Sequence, residues 1–546
     1  MEHHDQKINL YNRLVIAFVA LGGTASRPRS LKIFPLTRHR HMGLYGASII
    51  GSTIGQPGWY SYFNLPAAGE EGYASITTPA IATANGLFSA GGAVASLIVM
   101  WASDYFGRVR SIQIACVLGV LGGALQSAAQ NLDMFQAGRF IMGMCVGAMS
   151  CVVPMYLSEM SSPRFRGWLV GHHAIFLVFG YMLSSWTGFG IFFASNLELG
   201  WRLPLAIQCV PPLILLAGSP KVPRSPRWLV SQGLKEEAWV VLQRLRQSPD
   251  DPEDLFAKEE LYQIQEQLRL DADKLAAYGS PWKAVIQKPS YRKRMIIGSL
   301  TQWGAEFGGP LVINNYAVLL YTGLGQTGYM PLLLSALWLT TAGVIYNPLG
   351  AWLHDKVNSR RLMYIIGFCG IVVTTSVMSA MIARFGGTDN KAGNAVGVLF
   401  MFLYLAFQGT FCNTTMYLYI SEIFPTEIRS IGIGFSLFGQ YASTIILLQT
   451  APIAFESVGW KFFLVIICWS VVFVPIIYFF WPETARLTLE EIGQQFGDEV
   501  AVQLTNLGDE EKTALDQKIL GQDSKQPGPE VVSAPASESD GRKGPQ

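Results

Sequence analysis

The stretch P-M-Y-L-S-E-M-S-S-P-R-F-R-G at 154–167 returns in outline as Y-L-Y-I-S-E-I-F-P-T-E-I-R-S-I-G at 417–432. Each copy ends an apolar run with a Ser-Glu pair and follows it with Arg. A second pair of segments repeats in step with the first: W-A-S-D-Y-F-G-R-V-R at 101–110 and W-L-H-D-K-V-N-S-R-R at 352–361. Self-similarity over such distances makes the chain two related halves.

Composition says where those halves reside. Of 546 residues, 50% are hydrophobic and only 14% charged, against roughly 25% charged in an average soluble domain. This is the composition of a membrane protein. A net charge of +2 is too small to point to nucleic acid. The seven cysteines lie inside apolar runs without ligand spacing, so neither disulfides nor a metal are expected. With no nucleophile constellation and no phosphate loop, the sequence predicts no enzyme and no cofactor.

A span needs about 20 mostly apolar residues. Eleven such runs are clear, near 79–101, 110–129, 134–157, 168–192, 201–219, 294–320, 330–352, 361–384, 396–420, 430–450 and 459–481. A twelfth, first in order, is broken. L-V-I-A-F-V-A-L-G-G at 14–23 is too short, and a second apolar piece runs from Met42 to Gly55, with a basic stretch between them. Excising 25–42 would join the pieces into one ordinary span, so this stretch reads either as foreign to the working protein or as a loop between a surface helix and a short first span.

The links near 57–78, 130–133, 193–200 and 321–329 carry no Lys or Arg, whereas the opposite links carry many. By the bias of positive charge the basic links, and both termini, are expected in the cytosol.

The expected fold is therefore all-α, with twelve transmembrane helices in two six-helix halves and amphipathic cytosolic helices between them. The divisions are 1–42, an N-terminal segment holding the basic insertion 25–42; 43–219, the first half; 220–293, the linker; 294–481, the second half; and 482–546, a cytosolic tail disordered at its end. Halves repeated in this sense are related by an axis along the membrane normal. Carboxylates at span ends (Asp104, Glu159, Asp355, Glu422) can pair with Arg in the neighbouring links (Arg108, Arg166, Arg361, Arg429). Such locks exist only while those ends are together.

These motifs resemble the sugar porter family of the major facilitator superfamily, its fungal members above all. The matching stretches are D-Y-F-G-R-V-R at 104–110, G-R-F-I-M-G at 138–143 with Arg139, P-M-Y-L-S-E-M-S-S-P-R-F-R-G, P-R-S-P-R-W-L at 223–229, Y-I-S-E-I-F-P-T-E-I-R at 419–429 and W-P-E-T-A-R-L-T-L-E-E-I at 481–492. They cover 43–493. Because they belong to the conformational machinery, they imply the major facilitator fold and a gating role for Asp104, Arg108, Arg139, Glu159, Arg166, Asp355, Arg361, Glu422 and Arg429, and leave the solute open.

The solute positions depart from the resemblance. Where the family carries a fifth-span Gln this chain has Ala174, preceded by His172 and His173. In the seventh span Ala305, Glu306, Pro310 and Leu311 take family amide or ligand positions, Tyr417 stands for a tenth-span Trp, and Gln440 alone remains amide-like. An unpaired sugar hydroxyl taken from water costs on the order of 1–3 kcal/mol, so these losses argue against plain glucose. The family's first-span Asp, its proton carrier, is replaced by Gly46.

Glu306 is the only acidic residue from Met295 to His354. A carboxyl at mid-membrane that is neutral when occluded and ionised when wet can carry a proton. Two other readings stand beside it: a direct ligand for a solute hydroxyl or amine, and a structural carboxyl bonded to a neighbouring helix. His173, Gln302, Asn314, Asn315, Tyr316, Tyr417 and Gln440 complete the candidate solute-binding set. The sequence thus predicts a plasma-membrane secondary transporter of a sugar, polyol or sugar acid, coupled to protons through Glu306, whose partners are that solute and the bilayer. A non-transporting nutrient sensor of the same fold, or an exporter of a fungal metabolite, is the alternative.

Overall fold

The computed structural model describes residues 11, 15, 45–67, 70–160, 166–247, 251, 254–357, 359–388, 390–485, 487 and 489–498. Among them are helices and no strand, as a bilayer demands of chains that must satisfy every backbone polar group within the spanning segment. Nine helices among these residues are long and apolar enough to cross a membrane: Tyr73–Phe106, Arg108–Ser127, Leu132–Met160, Leu197–Lys221, Met330–His354, Arg360–Phe385, Lys391–Ile423, Arg429–Ser457 and Gly459–Phe480. They are spans two to four, six, and eight to twelve. The first is described from Tyr45 to Ile54, the fifth is Arg166–Ile191, and the seventh comes in three pieces, Pro289–Phe307, Pro310–Asn315 and Ala317–Gly323. The stretch 25–42 and the tail beyond Asp498 lie outside the described residues.

The two halves pack across a shared seam. Small residues let helices close to backbone contact where no hydrophobic force favours one apolar neighbour over another. Gly434 on the eleventh span shows this: a Cβ there would stand 2.4 Å from Met100 Cγ and 2.8 Å from the Ser96 carbonyl of the second span. The eleventh and second spans therefore cross tightly near one end of the bundle.

That end carries the linker. Between the halves lie four helices, Pro226–Ser231, Lys235–Arg246, Leu255–Ala276 and Pro281–Gln287, whose apolar stripes meet in a small core of Leu242, Ala257 and Ile264. Arg246 grips Glu260 with both Nε (2.5 Å) and Nη2 (2.9 Å), and Trp228 donates its indole N–H to the Asp104 carbonyl at 2.9 Å. The linker is thereby fastened to the first half. After the twelfth span a short helix, Leu489–Gln495, leads to Asp498, which ion-pairs with Lys288 and Arg294 at the start of the seventh span, each at 2.5 Å. At the far end of the bundle Trp59 meets Phe63 and Phe135 edge to face, Trp201 packs at a tilt on Phe63, and Arg202 lies over Trp201.

Candidate functional site

Midway along the seam lies a cavity of about 90 Å³, walled by spans from both halves, room for several waters or one small solute. The seventh span breaks beside it. Gly309 takes a left-handed φ of +88° and Pro310 starts a new helix, so the run of backbone hydrogen bonds ends where Glu306 faces the cavity. Discontinuous helices at the midplane between repeats are the usual construction of a transporter site.

Glu306 is 2% exposed. Its Oε1 accepts from Gln440 Nε2 at 2.7 Å, and Gln440 Nε2 also lies 3.4 Å from the Tyr417 hydroxyl. Glu306 Oε2 and Gln440 Oε1 have no hydrogen-bond partner among the described residues. Three spans thus bring a carboxyl, an amide and a phenol to one wall. Asn314 and Asn315 line the same cavity, and Asn314 reaches Ser48 of the first span at 3.5 Å.

Two predicted ligands lie elsewhere. Gln302 is fully buried and donates to the Met416 carbonyl at 3.3 Å, away from the cavity lining. Tyr316 is turned to the far end, where its hydroxyl donates to the Leu448 carbonyl at 2.8 Å and accepts from Asn85 at 3.3 Å. Both are occupied in joining helices. The side chains of His173, Arg166 and Asp355 lie outside the described residues.

The cavity also has polar walls that the sequence reading did not select: Asn347 of the eighth span, Gln408 and Asn413 of the tenth, and Ser150 of the fourth. Asn413 donates to Asn347 at 2.7 Å. Both follow or fall in π-helical turns, Ala342–Tyr346 and Gln408–Asn413, a distortion common at functional sites. Amides inside long apolar runs were the available signal.

From Asn413 a polar column continues toward the linker end. His354 Nε2 lies 3.0 Å from Thr414 Oγ1 and 2.9 Å from Thr415 Oγ1. Both hydroxyls donate to carbonyls one turn back, at Thr410 and Phe411, so His354 must donate through Nε2–H, leaving Nδ1 to accept from Arg360 at 3.3 Å. Arg360 meets Glu422 at 3.6 Å, and Glu422 accepts from Thr484 at 2.8 Å.

At the linker end the locks are partly as predicted. Arg108 pairs with Asp104 at 3.0 Å and Glu159 at 2.8 Å, and Glu159 interacts electrostatically with Arg429 of the other half. Ser430 donates across the seam to Asp104 at 2.5 Å. In the second half Arg360, which the sequence reading did not select, meets Glu422. Arg361 points outward, donating to the Tyr478 carbonyl at 3.3 Å, because adjacent helical residues diverge by about 100°. At the far end Thr78 donates to Glu456 at 2.9 Å, so the halves touch on both sides of the cavity.

Comparison with known proteins agrees with this geometry. The chain is 30% identical over 439 residues to MFS-type transporter criB of Aspergillus cristatus, covering 80% of this chain and 89% of the relative. It is 28% identical to a quinate permease of Neurospora africana (83% and 85% covered) and 29% identical to a high-affinity glucose transporter of Kluyveromyces lactis (83% and 82%). In fold it is similar to the proton:xylose symporter XylE bound to 6-bromo-6-deoxy-D-glucose, with a TM-score of 0.72, 22% identity, and 89% of this chain and 99% of that one covered. The model of the family described as sugar (and other) transporter matches residues 39–496, and with the repeated halves and the midplane cavity this establishes that the chain is a multi-pass membrane transporter belonging to that family.

Proposed function

We propose that this protein moves a sugar, polyol or sugar acid by alternating access, together with a proton carried by Glu306. The observation that carries the reading is the carboxyl itself: it sits on the cavity wall, bound through one oxygen to Gln440, with the second oxygen unpartnered among the described residues. Tyr417, Gln440, Asn314 and Asn315, with Asn347, Gln408 and Asn413, serve the solute's hydroxyls. A buried amide left without its hydroxyl partner is costly, so these groups discriminate against solutes that lack hydroxyls. The linker end faces the cytosol, both termini lie there, and the membrane is the plasma membrane. Asp104, Arg108, Arg139, Glu159, Arg166, Asp355, Glu422 and Arg429, joined by Arg360 on Glu422, hold the inward gate or its supports.

The test is uptake of labelled sugars, polyols and quinate-like acids into transporter-deficient yeast, with and without residues 25–42, each also as Glu306→Gln. The expected result is that Glu306→Gln still exchanges solute down its gradient but no longer accumulates it. Accumulation that survives the substitution removes Glu306 from the coupling, and a chain that reaches the surface and moves nothing favours a sensor.

A further inference from the structure

Arg139, on the fourth span, is 1% exposed. Its Nη1 donates to the Gly46 carbonyl at 3.2 Å, its guanidinium lies 4.3 Å from the centre of the Phe88 ring, and its Nε has no hydrogen-bond partner among the described residues. No described carboxylate stands within ion-pairing distance. The first span has none to offer either, since the chain contains neither Asp nor Glu between Asp5 and Glu70. Gln208, whose Oε1 would lie 3.1 Å from a Cβ at Gly46, is buried with both amide atoms unpartnered among the described residues.

A guanidinium out of water without a counter-ion is expensive. The Phe88 ring that it covers belongs to the cavity lining. Glu306 lines the cavity from the other half. The solute therefore binds between a fixed cation behind one wall and a titratable carboxyl in another. A neutral sugar leaves the cation uncompensated. A solute carboxylate compensates it, and Glu306 in its protonated form adds a donor, so that anion and proton cross together without net charge.

We infer that the preferred solute is a carboxylate, a polyhydroxylated or cyclic acid taken over the neutral compound of the same skeleton, with Arg139 setting that preference through its charge. This deepens, and rests on, the transport reading above. Relatives named for glucose and for quinate are about equally similar, so the preference comes from the site and not from kinship. A unit charge one aromatic ring from the solute, at an effective dielectric near 20, favours the anion on the order of tenfold.

The test uses the purified full-length chain in proteoliposomes with an imposed proton gradient and two matched pairs, quinate against methyl quinate and galacturonate against galactose. The expected result is that the acid of at least one pair enters about tenfold faster. Arg139→Gln brings the ratio near one and Arg139→Lys retains it, a pattern that a merely structural strut would not produce. Gly46→Asp, which sets a carboxylate beside Arg139, also lowers the ratio, the nearest atoms to its Cβ belonging to the side chains of Met142 and Gln208. If the unaltered protein moves the neutral member of each pair as fast as the acid, this inference is overturned and the transport reading stands. If it moves no member of either pair, the solute class proposed above falls, and this inference with it.

Discussion

Gln440 of the eleventh span donates to Glu306 of the broken seventh at 2.7 Å, on the wall of the midplane cavity. The bond joins two spans of the second half, and it leaves both residues with an oxygen free of described partners. An arrangement that the protein's own side chains satisfy only in half is one that a solute or a proton can complete.

Removing the amide exposes how far the pair depends on that bond. Gln440→Leu should lower stability by about 1–3 kcal/mol, the cost of leaving a buried acceptor unpaired. With Glu306→Leu added, the loss should be less than the sum of the single losses. Thermal unfolding of the purified protein in detergent measures all three, and strictly additive losses would show that the two side chains act independently.

Arg108 serves two carboxylates, one of them Glu159, whose side chain is 2% exposed. Arg108→Ala should therefore cost about 3–5 kcal/mol, because it strands a buried charge. Arg224→Ala, which breaks an exposed pair with Glu237, should cost less than about 1 kcal/mol. The comparison of melting temperatures decides whether burial, and not pairing as such, sets the penalty.

Closure of the linker end needs Gly434 against Ser96 and Met100. Gly434→Leu would drive a side chain into the Ser96 carbonyl, which is backbone and cannot swing aside. Labelling of cysteines introduced along the seam at the linker end should rise severalfold, with uptake falling in proportion. Unchanged labelling would mean that the crossing relaxes elsewhere.

Asp498 holds Lys288 and the buried Arg294 at the start of the seventh span. Asp498→Asn should lower the melting temperature by several degrees, since Arg294 loses its carboxylate. Equal melting temperatures would assign the clasp no weight.

Neighbouring arginines separate the two possible locks of the second half. Arg360→Gln should impair uptake at least tenfold, by releasing Glu422 and the Nδ1 of His354 together. Arg361→Gln, on an exposed carbonyl contact with Tyr478, should change it less than twofold. Initial rates of uptake at equal surface expression give the comparison.

Much of the fold was legible before any coordinates. Apolar runs declare spans because hydrocarbon forces every backbone group into local hydrogen bonds, and the repeated Asp-Arg and Ser-Glu-Arg segments order them into two halves. Glu306 was legible too, since a lone carboxyl in such a run has few reasons to exist. Less visible was which neighbours share its wall: Asn347 and Asn413 entered the cavity, while Gln302 and Tyr316 turned away to bond backbone on adjacent helices.

The sequence by itself determined that the chain is a bundle of membrane spans in two related halves, with their charged ends and the buried carboxyl, all properties of composition and order along one dimension. Only the tertiary structure decided facing. A helix turns about 100° per residue, and a single π-helical turn shifts everything after it, so the rotation that aims Asn413 at Asn347, Arg360 at Glu422 and Arg139 at Phe88 is set by how spans pack. No periodicity in the sequence records that rotation.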